Sequence, residues 1–377
     1  MIKGHKIRLI PTKEQEELMF KSIGCSRFAY NWALNRSKEM YENNIKYSMS
    51  NIRKEFTQLK KQDKYKWLNE ISNTTMVESM RNLDKAFKQF FKTKKGYPKF
   101  KSKKKSKQSF YVRVDNLYFL ENKTCNIEKI GKVKYKTNYK LPMGRNKCKF
   151  MNPYCSYDGK YWYLSFNLEI NENQVSLNKE LKIGIDLGIK ELATCSNGMV
   201  FKNINKSLKV RKLKKKLERL QRKVSRKYRQ NKQGNKYVKT NNIIKLEKQI
   251  KLIHRKLTNI RENHIYQSIN IILKERPYRI VMEDLNNKGM VKNKHLSKAI
   301  AEQCFYKFIS TMKYKCEWKG IEFVQVDRFY PSSKTCSRCG HIKKDLKLSD
   351  RTYICEECGL VIDRDLNASI NLMNYEL

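Results

Sequence analysis

Acidic residues are scarce in this sequence: 36 Asp and Glu face 83 Lys and Arg in 377 residues, a formal net charge of +47. An excess of that size pushes a compact chain apart unless a polyanion neutralises it, and membrane surfaces and nucleic acids are the two available polyanions. Long apolar runs are lacking too. No stretch approaches the roughly 18 residues of a membrane span, and the opening MIKGHKIRLIPTKEQ has no signal-peptide core. Nucleic acid is the expected partner, no membrane is expected, and a cytoplasmic, nucleoid-associated location follows. A disulfide framework is also missing. Of 11 cysteines, Cys336, Cys339, Cys355 and Cys358 form a regular pattern. Cys25, Cys125, Cys148, Cys155, Cys195, Cys304 and Cys316 stand alone, as in a reduced chain that holds one metal site.

The length suits two to three compact units, and 40% hydrophobic residues with 11% aromatics suffice to build cores. KIRLI is a short strand stopped by Pro11, and Thr12 with Gln15 forms a capping box. Residues 13–43 read as a helical pair broken near Gly24, with Met19/Ile23 and Phe28/Trp32 at i,i+4. Met76, Met80, Leu83, Phe87 and Phe90 form a core-facing stripe on a further helix. The segment GYPKFKSKKKSK crowds Lys99, Lys101, Lys103, Lys104, Lys105 and Lys107 into one loop and marks a boundary. From about residue 108 the apolar period becomes two. Leu164, Phe166, Leu168 and Ile170 alternate with polar neighbours after an Asp158-Gly159 hairpin signal. Residues 108–170 therefore read as antiparallel strands that make a small barrel with the N-terminal strand.

A polar linker, NENQVSLNKE, leads to two apolar strand runs, LKIGIDLGI (181–189) and RIVMEDL (279–285). Between them lies a helical hairpin. One arm carries Leu213, Leu217, Leu220 and Val224; the other carries Leu246, Ile250, Ile253, Leu257 and Ile260. Its outer face includes Arg211, Lys212, Lys214, Lys215 and Lys216, a one-signed run that favours phosphate.

Two constellations carry chemistry. Cys336-x2-Cys339 and Cys355-x2-Cys358, fifteen residues apart, give four thiolates in two knuckles. That is closed tetrahedral coordination suited to structural Zn²⁺, with Gly340 and Gly359 supplying tight turns. Asp186 interrupts an apolar strand, Glu283 ends another, and Asp365 opens a helix start. Singly, each reads equally well as a cap, a strand-end charge or an ion-pair partner. Together they match what two-metal phosphodiester hydrolysis needs, where acidic oxygens hold two ions about 4 Å apart.

In chain order GIDLGIKELATCSNG, VMEDLN, DRFYPSSKTCSRCG, CEECG and DRDLNASINL closely resemble the TnpB family of transposon-encoded, RuvC-like nucleases, relatives of type V CRISPR effectors. IRLIPTKEQ, CSRFAYNWAL, LDKAFKQFF and GYPKFKSK fit the same family, so the resemblance spans nearly the whole chain. It implies an RNA-guided DNA endonuclease. A guide non-coding RNA pairs with double-stranded target DNA, the protein reads a short adjacent motif, and one RuvC-type site cuts both strands. Matched residue by residue, Asp186, Glu283 and Asp365 are the metal-binding acids for Mg²⁺, with Mn²⁺ as a substitute. Asp363 competes for the third place; Asp365 is preferred because it directly precedes the Leu-Asn-Ala portion of the motif. The sequence stops twelve residues past Asp365, where many relatives continue into a basic tail, so contacts made by such a tail are expected elsewhere or not at all.

The implied architecture is multidomain α+β. A split β-barrel (1–12 and 108–175) carries a helical recognition insertion (13–107). A RuvC, RNase H-like mixed domain (181–377) follows, interrupted by the helical hairpin (205–275) and a zinc ribbon (333–362). The rival expectations are a nuclease-inactive RNA-guided DNA-binding repressor and an accessory transposase. The first would need a lost acid, and the second would need a further catalytic domain; the sequence shows neither.

Overall fold

The computed structural model describes residues 2–145, 150–169, 176–292, 296–347 and 350–376. Cys148, Ile170 and half of the polar linker lie outside them. The chain divides into two compact units, Met1–Glu172 and Asn173–Leu377.

In the first unit β1 (Ile2–Ile10) runs to Pro11, and α1 (Lys13–Glu42) begins on the expected capping box of Thr12 and Gln15. The helix does not break at Gly24. One glycine costs a helix about 1 kcal/mol, and here tertiary packing on both sides outweighs it. Met19 and Ile23 pack into the sheet core, while Ala29, Ala33 and Leu34 pack into a helical core. That helical core also takes α2 (Met49–Leu59), a 3₁₀ helix (Asp63–Glu70) and α3 (Asn73–Thr93). The α3 stripe is buried at Met76, Met80, Leu83 and Phe87.

The sheet adds β2 (Ser109–Tyr111), β3 (Tyr118–Leu120), β4 (Thr124–Ile127), β5 (Gly131–Lys136), β6 (Met151–Tyr157) and β7 (Trp162–Glu169). Its order is β2-β6-β7-β1-β5-β4-β3, all antiparallel, so the N-terminal strand is central, between β7 and β5. The Asp158-Gly159 turn joins β6 to β7 with Tyr157 opposite Trp162.

The second unit is built on β8 (Asn178–Asp186), β9 (Glu191–Cys195) and β10 (Val200–Lys202). Next come α4 (Leu208–Gln230), a minimal ribbon of β11 (Lys232–Gln233) and β12 (Lys236–Tyr237), and α5 (Asn241–Lys274). The hairpin seam is as spaced: Val210, Ile253 and Leu257 are buried with Leu213, Leu217, Leu220 and Ile260 around them. Then follow β13 (Pro277–Glu283), α6 (Asn287–Met290), α7 (Ser297–Gln303), α8 (Phe305–Lys319) and β14 (Glu322–Val326). The last elements are β15 (Thr352–Ile354), β16 (Val361–Asp363) and α9 (Arg364–Met373).

The main sheet runs β10-β9-β8-β13-β14, with β8, β13 and β14 parallel. On one face Ile183, Ile185, Ile280 and Met282 meet Ile265, Ile269 and Ile272 of α5 and Phe308 and Met312 of α8. On the other, Val281, Val324 and Val326 meet Leu372 of α9.

Candidate active site and metal centre

The first apolar run was expected to continue past Asp186 and the second to end at Glu283; each strand stops at its acid. β8 ends at Asp186 and β13 at Glu283. The strands are parallel and in register, Ile185 beside Met282, so the two carboxylates leave the same end of neighbouring strands. Side chains alternate along a strand. Ile185 and Met282 point to the α5/α8 side, which turns Asp186 and Glu283 to the α9 side.

Gly184 shares that face. A Cβ there would lie 2.0 Å from the Ser369 carbonyl oxygen and 2.4 Å from the Met373 nitrogen. Only glycine lets α9 lie directly on β8, and this contact carries the α9 N-terminus toward Asp186. Asp363 and Asp365 then separate by role. Asp363 is the N-cap, its Oδ1 accepting from the backbone N–H of Asp365 at 2.9 Å and of Leu366 at 3.1 Å. Asp365 stands in the first turn, with a carboxylate oxygen 3.6 Å from the Arg364 guanidinium.

The electrostatics tie the acids together. Burial pushes the Asp186 carboxyl well above the usual range; Glu283, Asp365 and Asp363 push it further, and Arg364 opposes them. Burial also raises Glu283, against a hydrogen bond donated by the Ser332 hydroxyl. Among the described residues, these three acids do not bring ligand atoms within 4.8 Å of one another as a single-ion cluster does. A pair of ions about 4 Å apart needs a wider set of oxygens.

Sequence reading missed the support behind Glu283. The buried Asn367 and Asn371, one turn apart on α9, hold the loop before the first cysteine. Asn367 Nδ2 donates to the Thr335 carbonyl at 2.7 Å and its Oδ1 accepts from Ser337 N–H at 3.0 Å. Asn371 Nδ2 donates to the Ser332 and Thr335 carbonyls at 2.7 and 2.6 Å. Asparagines at i,i+4 on an otherwise apolar helix face were the available signal.

The four paired cysteines do come together, with sulfur atoms all within 4.8 Å; Cys336–Cys358 and Cys339–Cys355 are each 3.6 Å apart. Zn–S bonds of about 2.3 Å in a tetrahedron place sulfurs about 3.8 Å apart, so the donor set fits one such ion. Gly340 and Gly359 take φ of +78° and +68° and close the knuckles with N–H bonds to the Cys336 and Cys355 carbonyls. Cys25, Cys125, Cys155, Cys195 and Cys316 are buried free thiols, and burial pushes the Cys125 and Cys195 thiols up to about 12.

The basic residues are spread over both units. Lys99, Lys103, Lys104 and Lys105 are exposed, while Lys101 is half-buried with its ammonium 3.8 Å over the Tyr30 ring. On α4, Arg211, Lys212, Lys215 and Lys216 are exposed; Lys214 is paired with Glu302 at 2.5 Å.

A model described as "Cas12f1-like, TNB domain" matches residues 305–372, one described as "Probable transposase" matches residues 165–294, and a "Helix-turn-helix domain" model matches residues 1–46. Residues 2–46 here hold one strand and one helix rather than a helix pair. A Streptomyces pristinaespiralis protein named "Putative RNA-guided DNA endonuclease" is 30% identical over 375 residues, 98% of this chain and 88% of its own. An Escherichia coli K12 protein, "Putative RNA-guided DNA endonuclease InsQ", is 28% identical over 391 residues, 99% of this chain and 92% of its own. A solved Cas12f1–sgRNA–target DNA complex shares the fold at a TM-score of 0.57 with 14% identity, covering 99% of both chains. Across its full length, and in the ordered motifs that end at the acids and cysteines described above, the chain belongs to the TnpB family.

Proposed function

We propose that this protein is an RNA-guided DNA endonuclease that cuts double-stranded DNA beside a short adjacent motif, in one RuvC-like site formed by Asp186, Glu283 and Asp365. The observation that carries the reading is the meeting of three carboxylates from distant segments at one end of a parallel strand pair, with the carboxyl of the half-buried Asp186 desolvated against its own charge. Such a group is stable ionised only beside cations. The three acids would hold Mg²⁺, or Mn²⁺, which would supply an activated water and charge neutralisation at the cleaved phosphate. The chain's own residues orient the acids. Ser332 fixes one oxygen of Glu283, Asp363 fixes the turn that presents Asp365, and Arg364 beside Asp365 limits how far their repulsion rises.

Zn²⁺ in the Cys336, Cys339, Cys355 and Cys358 cluster would be structural, since four thiolates leave no open position. Guide RNA and target DNA are the partners, and base pairing rather than the protein reads the target. Residues 1–12 and 108–175 form the wedge-like barrel, 13–107 the recognition helices, and 181–377 the nuclease with its hairpin (205–275) and ribbon (333–362). The relatives' names and the shared Cas12f1 fold support this reading.

The test is plasmid cleavage with a matching guide RNA and Mg²⁺. Alanine at Asp186, Glu283 or Asp365 abolishes cutting and keeps guided DNA binding. Asp363→Ser retains the cap and most of the cutting. Wild type that binds guided targets and never cuts under Mg²⁺ or Mn²⁺ overturns the endonuclease reading.

A further inference from the structure

The first unit holds two neighbouring cavities that cleavage does not use. The larger, about 660 Å³, is a groove lined by α1, the 3₁₀ helix and the Phe100 loop. Phe28, Trp32, Trp67 and Phe100 form its aromatic walls. Trp67 and Phe100 are 43% and 51% exposed, too much for core residues of their size. Trp67 is nevertheless held in place: its ring meets Phe28 edge-on at 5.4 Å and its Nε1 donates to the Lys64 carbonyl at 3.1 Å. The one carboxylate lining the groove, Glu70, is already paired with Lys21 at 2.6 Å.

The smaller cavity, about 130 Å³, is polar and shares Arg27 with the groove. Lys101 and Lys107 add two further cations, Ser106 and Ser109 add hydroxyls, and no carboxylate is among its lining residues. The Lys101 ammonium touches the Tyr30 ring and has no acidic partner among the described residues, and burial pushes its pKa down. A half-buried cation left in that state lacks an anion.

Aromatic faces take bases of any identity, and clustered cations take phosphate. We infer that the first unit binds one unstacked nucleotide of the RNA partner, its base in the groove against Trp67 and Phe100 and its phosphate on Arg27, Lys101 and Lys107. RNA is the occupant because its loops and bulges offer bases already splayed out, whereas a base drawn from a duplex must first be unpaired and unstacked. The inference rests on the RNA partner of the proposed function, and not on cleavage.

The full chain, stripped of nucleic acid, is irradiated with a single-stranded RNA oligomer carrying one 4-thiouridine, and separately with the DNA oligomer of the same sequence carrying 4-thiothymidine. The RNA crosslinks to Trp67 or Phe100. Trp67→Ala and Phe100→Ala each weaken RNA binding about tenfold, while Trp67→Phe, which keeps a stacking face, stays near wild type. Lys101→Ala lowers the slope of log affinity against log salt by about 0.7, one phosphate contact on a single strand. Thermal melts establish that each variant is folded. Wild-type RNA binding that crosslinks elsewhere and is untouched by these variants overturns the site and leaves the proposed function standing. Crosslinking to the groove by the DNA oligomer alone overturns the choice of RNA. Wild type that binds no RNA overturns both readings.

Discussion

Asp186 is half-buried, its carboxyl desolvated near Glu283 and Asp365, and its folded-state pKa is raised. Folding therefore favours its neutral form. The protonated acid adds stability below the ordinary carboxylate value of about 4, and that contribution is lost as pH rises through the raised value. At pH 8 in a chelator, far above the ordinary carboxylate value, the desolvated acid costs the fold stability, and Asp186→Asn removes that cost together with a proposed metal ligand. The variant should melt a few degrees higher than wild type, about 2–4 °C for each kcal/mol in a unit of this size. Near pH 4 the gap closes, because wild-type Asp186 is protonated there, and Mg²⁺ narrows it by neutralising the wild-type site. Differential scanning calorimetry at both pH values, with and without Mg²⁺, checks this. An Asn variant no more stable than wild type at pH 8 in chelator would show that the repulsion is relieved by some other group.

Among the elements, α9 does three jobs with ten residues: it presents Asp365, seals the sheet over Gly184, and clamps the loop that leads into the cysteine ribbon. Asn371→Ala removes two hydrogen bonds inside the protein and leaves the Ser332 and Thr335 carbonyls without that donor. A loss of about 1–3 kcal/mol and a marked fall in cleavage are expected, since the loop also holds the Ser332 that bonds Glu283. The zinc content, measured by elemental analysis, should stay at about one per chain. Cys336→Ser is the converse case: zinc is lost, the ribbon unfolds locally, and cutting falls with every acid in place. Zinc-free wild type that cuts normally would refute it. Local signals in the sequence foretold much of this. The capping box, the hairpin turn, the α3 stripe and the cysteine spacing each depend on residues close together in the chain. What stayed hidden depends on distant contacts. Gly24 looked like a break because the two cores that keep α1 continuous are completed by residues far along the sequence. Asp365 was preferred over Asp363 on motif position alone, and the sequence did not show that the first backbone N–H groups of α9 take Asp363 as their cap. The clamp joins residues 30 or more apart, with no periodicity to announce it.

At the scale of the whole molecule, a net charge of +47 comes with exposed basic residues on loops and helices of both units. Binding to RNA should therefore weaken steeply with salt, by about a thousandfold or more between 50 and 200 mM if six to ten phosphates are contacted. Fluorescence anisotropy across that range measures the slope, and a flat response would contradict a phosphate-facing role for these lysines and arginines. The seat that Gly184 offers to α9 also has a meaning in time. The ribosome makes β8 roughly 180 residues before the helix that covers it, and at about 5–20 residues per second that is an interval of roughly 10–35 s. Through it, the growing chain carries first Asp186 alone and then Asp186 with Glu283 on an unfinished, uncovered sheet. Under the proposed function the ability to cut arrives late in translation, and a product stalled anywhere before Asp365 is harmless to the genome that encodes it.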